Sequence, residues 1–224
     1  MRARHSAWVR LLLWGGILLP VVDLTLVAIF ASLHPDYSHV RHFMSELGET
    51  GRRFGLLVNA WFTVGSLVLL GFGLGMAWTM PRNGCAKAGV SLFLIWAAIG
   101  VIGGFFPCDP GCRGESFSGW MHLTLGEIGA VCILPAPTLL WMAMRCDPTW
   151  RGFGWLTLPV QVLIVLLSLA LGAAAYEASI GEQELRELAG LFQRLCWVVY
   201  YLWIMAVGVR LLYVERANDF RSPP

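Results

Sequence analysis

The sequence predicts an all-α polytopic membrane protein, a six-transmembrane-helix bundle with its N- and C-termini cytoplasmic. Three observations predict it. The chain is 57% hydrophobic and 13% charged, far from the ~25% charged balance of soluble domains. Six runs reach the ~20 mostly apolar residues that a bilayer span requires, at about residues 8–33, 54–79, 88–106, 119–144, 153–176 and 188–213. The Lys and Arg residues divide unevenly between the two sets of connections. One side holds Arg2, Arg4, Arg10, Arg82, Lys87, Arg145, Arg151, Arg210, Arg216 and Arg221, and the other Arg41, Arg52, Arg53, Arg113 and Arg186. The richer side is expected to be cytoplasmic. Lipid leaves no backbone polar group satisfied from outside, so continuous apolar runs mean helices and exclude barrel strands.

The first run follows Arg2, Arg4 and His5 and resembles a signal peptide. It continues past Asp23 to Leu33 without a small-residue cleavage pattern, so it reads as a retained first span. Span two carries Gly71-x-x-x-Gly75, span three Gly100, Gly103 and Gly104, and span four Gly126-x-x-x-Ala130, spacings that let helices approach closely in lipid. Pro81-Arg-Asn-Gly84 turns the chain between spans two and three, Cys146-Asp-Pro148 turns it between four and five, and Ser222-Pro-Pro224 forms a loose tail. Trp8, Trp78, Trp141, Trp150 and Trp155 fit an inner aromatic belt, and Tyr37, Trp120 and Tyr176 an outer one. The short connections leave one six-span domain over residues 1–224, and a net charge of +2 without a basic cluster points away from nucleic acid. The outer loops carry acids that include Asp36, Glu46, Asp109, Glu115 and Glu182.

Cys108 and Cys112 bracket Asp-Pro-Gly, a turn sequence that brings them within disulfide reach in an oxidising compartment, two free thiols being the alternative. Cys132 and Cys196 lie in spans, and Cys85 and Cys146 face the cytoplasmic side.

Polar residues inside the spans gather toward the outer side: Asp23, Asn59, Glu127, Gln193 and Arg194. An ionisable group in hydrocarbon costs at least ~2.5–3.5 kcal/mol and by default marks a functional site. At 1.5 Å per residue, His122 lies roughly 5 Å from the outer helix end, Asn59 roughly 8 Å, Arg194 roughly 9 Å, Glu127 roughly 12 Å and Asp23 roughly 15 Å. The inner half offers mainly Gln161, so the pattern predicts a polar cavity open outward and closed below. Arg194 is the natural ion partner of Asp23 or Glu127, for chemistry or to fix helix register. His122 and Glu127, five apart, are roughly 140° apart around a helix and can only flank a cavity from a wide surface.

The first outer loop, His34 to Gly51, is the most polar stretch of the chain. Glu46 and His122 have the types for general base and acid, with Ser45 or Ser116 as nucleophile. His39 and His42, joined by His122 or Asp36, have the types for an open three-ligand zinc site, but their spacing reads first as solvated loop histidines and no metal is expected. Haem is disfavoured because His122 is the one histidine within a span. No nucleotide fingerprint or zinc-protease motif occurs, and the cofactor is left unassigned.

Tyr37-Ser38, Ser45-Glu46-Leu47-Gly48, Gly51 and Asn59 resemble the first signature of a prokaryotic six-span family designated domain of unknown function 998. Phe106-Pro107-Cys108-Asp109-Pro110-Gly111-Cys112, Ser116 and His122 resemble its second. The likeness covers nearly the whole chain and implies a bacterial-type inner-membrane, multi-pass protein with no assigned activity. A looser likeness joins Ser45, Glu46, Asn59 and His122 to the DRAM/Sfk and GPI-anchor lipid-remodelling membrane proteins, with Glu46 where an aspartate is the pattern. It implies lipid as the substrate class.

The expectation is therefore an outward-facing cavity that binds a lipid head group in the outer leaflet, as a hydrolase or transferase. Glu46, His122 and Ser45 would do the chemistry, and Asn59, Asp109, Arg194, Asp23, Glu127 and Ser116 would bind substrate. A non-catalytic sensor or accessory subunit, with protein partners unknown, and a proton-coupled small-molecule transporter are the alternatives.

Overall fold

Helices long and apolar enough to cross a membrane number six among the described residues: Ala7–Ser32, Gly55–Thr79, Gly84–Gly103, Phe117–Arg145, Phe153–Ala175 and Arg186–Ala217. The fold, a computed structural model, is described over residues 2–150, 152–180 and 185–221, with side chains over 7–150, 152–175 and 185–217. Arg151, Glu182 and Ser222-Pro-Pro224 lie outside the described residues, as do the side chains of Arg2, Arg4, His5, Tyr176 and Arg221. No strand occurs in the described chain.

The helices are α1 (Arg2–Ser32), α2 (Gly55–Thr79), α3 (Gly84–Gly103), α4 (Phe117–Ile133), α5 (Ala136–Arg145), α6 (Phe153–Ile180) and α7 (Ala189–Arg221). Helix α3 starts a turn earlier than hydropathy alone suggests, because Asn83 caps it, its side chain accepting from Ala86 N at 2.9 Å. Ser116 caps α4 in the same way, accepting from Gly119 N at 3.0 Å.

The helices pack as a ring: α1 on α2, α2 on α3, α3 on α4 and α5, α5 on α6, α6 on α7 and α7 back on α1. The apolar core fills the half of the bundle nearer the chain termini. Phe72, Phe93, Leu140, Met144, Trp150, Trp203, Ile204 and Leu211 are all buried there. Trp150 is therefore no belt residue. It is 1% exposed and stacks edge-on with Phe153, whereas Trp8, Trp78, Trp120 and Trp155 are exposed as a belt requires.

The fourth span is one helix by hydropathy but two in structure. Leu134-Pro135-Ala136-Pro137 supplies the reason, since two prolines remove two backbone donors and crowd the preceding turn. Buried Gln161 of α6 supports the break, its Nε2 donating to Leu134 O at 2.6 Å. Below it α5 packs on both α3 and α6; above it α4 keeps to α3, and among the described residues no sustained packing joins it to α6. The ring is thus open at one seam in its loop half.

Candidate functional site

A cavity of about 420 Å³ occupies the loop half of the bundle, directly above the packed core. That volume falls among small-ligand sites of ~300–1,000 Å³. The walls are more apolar than the sequence predicts. Phe62, Trp96, Trp197 and Tyr200 face it, with Gly65, Gly100, Gly103, Gly126 and Gly129 making room. Trp96 stacks with Trp197 at 5.8 Å and with Tyr200 at 5.6 Å, so the aromatic wall is continuous between α3 and α7. Polar groups stand mainly at its edges: Ser45, Asn59, His122 and Gln193 at the head and Asp23 deep on α1.

Among the described residues Asp23 has no ion partner. Its carboxylate, 5% exposed, accepts from Trp61 Nε1 at 2.7 Å and Tyr201 OH at 2.9 Å, tying α1 to α2 and α7. Arg194, predicted as that partner, points instead to the first loop. Its Nη1 donates to His42 O and Gly190 O at 2.8 Å each, its Nε to His39 Nδ1 at 3.0 Å, and its Nη2 to the Tyr37 hydroxyl. Tyr37 in turn donates to Phe43 O at 2.9 Å.

Arg194 is one of several clasps on that loop. Gln193 Oε1 accepts from Met44 N at 2.6 Å, Asn59 Nδ2 donates to Gly48 O at 2.7 Å, and Leu191 N donates to Val40 O at 2.9 Å. Gly190 must lack a side chain, because a Cβ there would collide with the His42 backbone. Polar residues that looked like a buried reaction centre thus fasten residues 34–50 as a roof, which Met44 and Ser45 present to the cavity.

At the cavity head, Ser45 Oγ lies 3.2 Å from Cys112 Sγ, and Cys112 is joined to Cys108 as a disulfide. His122 sits beside them: a ring nitrogen and both sulfurs lie within 4.8 Å of one another. His122 Nδ1 is 2.9 Å from Phe106 O. A carbonyl only accepts, so Nδ1 carries a proton, and in the neutral form of the ring the lone pair is on Nε2.

The remaining predicted residues do not reach this head. Glu46 is buried in the roof, where its Oε1 accepts from Phe43 N at 2.8 Å and closes the turn Met44–Gly48; burial pushes its carboxyl above the usual range. Asp109 braces the second loop, accepting from Ser116 Oγ at 2.6 Å and from Ser116 N and Glu115 N at 2.8 Å each. The Ser116 hydroxyl first, then these amides, hold its carboxyl below the usual range. Ser116 is consumed as that partner and as the α4 cap. Glu127 is exposed on the face of α4 away from the cavity lining, so it neither pairs with Arg194 nor flanks the cavity with His122.

The zinc set drawn from His39, His42, Asp36 and His122 does not assemble. His39 accepts from Arg194 and has its basicity lowered by desolvation and then by that guanidinium, His42 accepts from Ser38 N at 2.9 Å, and Asp36 meets Arg52 at 3.2 Å. Three residues that matter were not singled out for the cavity: Pro135 and Pro137, which shape its open seam, and Tyr201, which holds Asp23. Two prolines two apart within an apolar run are the readable signal for the first pair. Nothing local marks Tyr201, whose role depends on α1 lying beside α7.

No curated protein and no solved structure gives a significant match to the chain. A family model does match, over residues 15–210, and its description is "Protein of unknown function (DUF998)". That stretch runs from the first span to the last and contains the cavity, its roof and the disulfide loop. The chain is a multi-pass membrane protein and belongs to the DUF998 family.

Proposed function

We propose that this protein binds an amphiphilic lipid of the membrane it spans, the acyl portion lying in the aromatic cavity and the head group at Ser45, Asn59 and His122. The observation that carries this reading is the open seam between α4 and α6. The roof is fastened to α2 and α7 by side-chain and backbone hydrogen bonds, so it lies over the loop end of the cavity. The α4–α6 side is the least tightly packed wall around the cavity, and in this reading it faces the hydrocarbon. A cavity approached from the side selects what is already dissolved in the bilayer. The Lys and Arg bias supports placing the loop end on the outer face and both termini in the cytoplasm, which makes the lipid an outer-leaflet one in a bacterial-type inner membrane. The looser resemblance drawn from Ser45, Glu46, Asn59 and His122 would imply the same substrate class.

The chemistry available at the head is hydrolysis or acyl or head-group transfer. Ser45 offers a hydroxyl and His122, in its neutral form, an accepting Nε2; both residues line the cavity. Glu46 supports the roof in this scheme.

Gly126 provides the test. It lines the cavity, and a Cβ there meets nothing within 4 Å, so Gly126→Phe adds bulk at the seam without a clash at its base. In nanodiscs with a photoactivatable phospholipid, labelling of cavity peptides should fall at least about tenfold, a loss of ~1.4 kcal/mol in occupancy, at an unchanged melting temperature. Labelling that stays at the wild-type level would remove the lateral-binding reading. For the chemistry, His122→Ala and Ser45→Ala should each alter the lipid composition of cells; unaltered lipids with abundant folded variants would leave binding without catalysis.

A further inference from the structure

The disulfide loop carries a second chemistry that does not rest on lipid binding. Cys108 Sγ, Cys112 Sγ and a ring nitrogen of His122 form the one cluster of metal-ligating groups this close among the described residues, all within 4.8 Å. The frame that holds them is independent of the S–S bond. Asp109 ties the loop to the start of α4 through Ser116 and Glu115. Thr50 N donates to Cys108 O at 2.9 Å, and Gly111 N donates to Glu49 Oε2 at 2.9 Å, tying it to the roof. Reduction would therefore free two sulfurs without releasing the backbone that aims them.

His122 is already arranged as a ligand. A metal-bound histidine donates its second ring N–H to a carbonyl or carboxylate, which fixes the ring and its tautomer. His122 does this through Nδ1 to Phe106 O at 2.9 Å, leaving Nε2 for the ion. Ser45 Oγ, 3.2 Å from Cys112 Sγ, adds a hydroxyl at the same point.

We propose that the reduced protein holds a thiophilic divalent cation of the zinc class on the Cys108 and Cys112 thiolates and His122 Nε2, and that disulfide formation releases it. Two soft sulfurs and an imidazole suit tetrahedral Zn²⁺, with a fourth position left to Ser45 or water. Zn–S bonds of ~2.3 Å and a Zn–N bond of ~2.0–2.1 Å place the donors roughly 3.5–3.8 Å apart. Rotation of the cysteine side chains supplies the separation once the sulfurs are no longer joined.

The electron balance closes with a dithiol reductant, which gives two electrons and two protons to the S–S bond and becomes a disulfide. Each thiol then loses its proton as it binds the cation. Oxidation by a small-molecule disulfide takes two electrons from the thiolates, yields two small thiols after proton uptake, and frees the cation.

Cobalt titration of the full chain in detergent tests this, with the oxidised protein as internal control. Cys85, Cys132, Cys146 and Cys196 are free thiols and are the same in both states. The reduced protein should show thiolate-to-cobalt charge-transfer and tetrahedral ligand-field bands that the oxidised protein lacks, saturating at one ion per chain and erased by zinc. Oxidised glutathione should release zinc to a chelating dye. Cys112→Ser and His122→Ala should each weaken cobalt binding by at least about tenfold. Absence of the bands in reduced wild type would overturn the proposal, as would bands that appear equally in oxidised protein or persist in both variants.

Discussion

Asp23 and Arg194 show how ionisable groups in a membrane helix can be satisfied without pairing with each other. Asp23 takes two neutral donors, Trp61 and Tyr201, and Arg194 takes carbonyls, a hydroxyl and a histidine nitrogen. Asp23→Ala should orphan both donors, at roughly 1–3 kcal/mol each, read as a lower denaturation midpoint in detergent. Glu46 and Asp109 are perturbed in opposite directions and give opposite pH signatures. Burial raises the Glu46 carboxyl in the folded state, so the fold holds that proton more tightly than the unfolded chain. Its contribution to stability is greatest in acid and is lost as pH rises through the raised value. Glu46→Gln keeps an oxygen for Phe43 N while removing the buried charge, so its melting temperature should equal or exceed that of wild type at neutral pH. Asp109 is lowered by the Ser116 hydroxyl and neighbouring amides, so its contribution is present above the ordinary aspartate range and lost as pH falls through the depressed value. Asp109→Asn should lower the neutral melting temperature and flatten the acid limb of the profile.

Two elements shape the site more than any single side chain. One is the break between α4 and α5, where Pro135 and Pro137 part α4 from α6 while Gln161 takes the Leu134 carbonyl. Replacing both prolines with alanine should let the span straighten and close the seam, lowering photolabelling by a bilayer lipid as Gly126→Phe does. The other is the roof. Arg194→Met removes its guanidinium clasps but leaves those of Gln193 and Asn59, so hydrogen exchange should speed up in residues 37–43 more than in residues 44–48. Uniform acceleration across the roof would show that it opens as one unit.

For the whole molecule, the six spans and their helical nature were legible because lipid imposes length and apolarity residue by residue. That Asn59 and His122 lie toward the loop end of their helices was also legible, since depth along a helix can be counted; Ser45 reaches the same cavity through the fold of the roof. Partner choice was not. Whether Arg194 meets Asp23 depends on helix rotation and on where a loop folds back, and rotation is poorly marked when all faces of a helix are apolar. Asp109 and Ser116 were similarly misleading, because types suited to catalysis are also types suited to caps and loop braces. Orientation follows a rule about charges and not from packing, and it can be tested directly. A membrane-impermeant maleimide added to intact cells should spare Cys85 and Cys146, and inverted vesicles should expose them; the reverse pattern would turn the protein over.

The open seam also affects how any ligand of this protein would have to be measured. A molecule that arrives sideways must first partition into the bilayer, so its apparent affinity against aqueous concentration contains its membrane partition coefficient. Each added methylene contributes ~0.8 kcal/mol to that coefficient, even where the cavity itself is indifferent to chain length. Chain-length preferences are then meaningful only when ligands are counted per lipid, and two compounds of equal fit can differ many-fold in an aqueous titration.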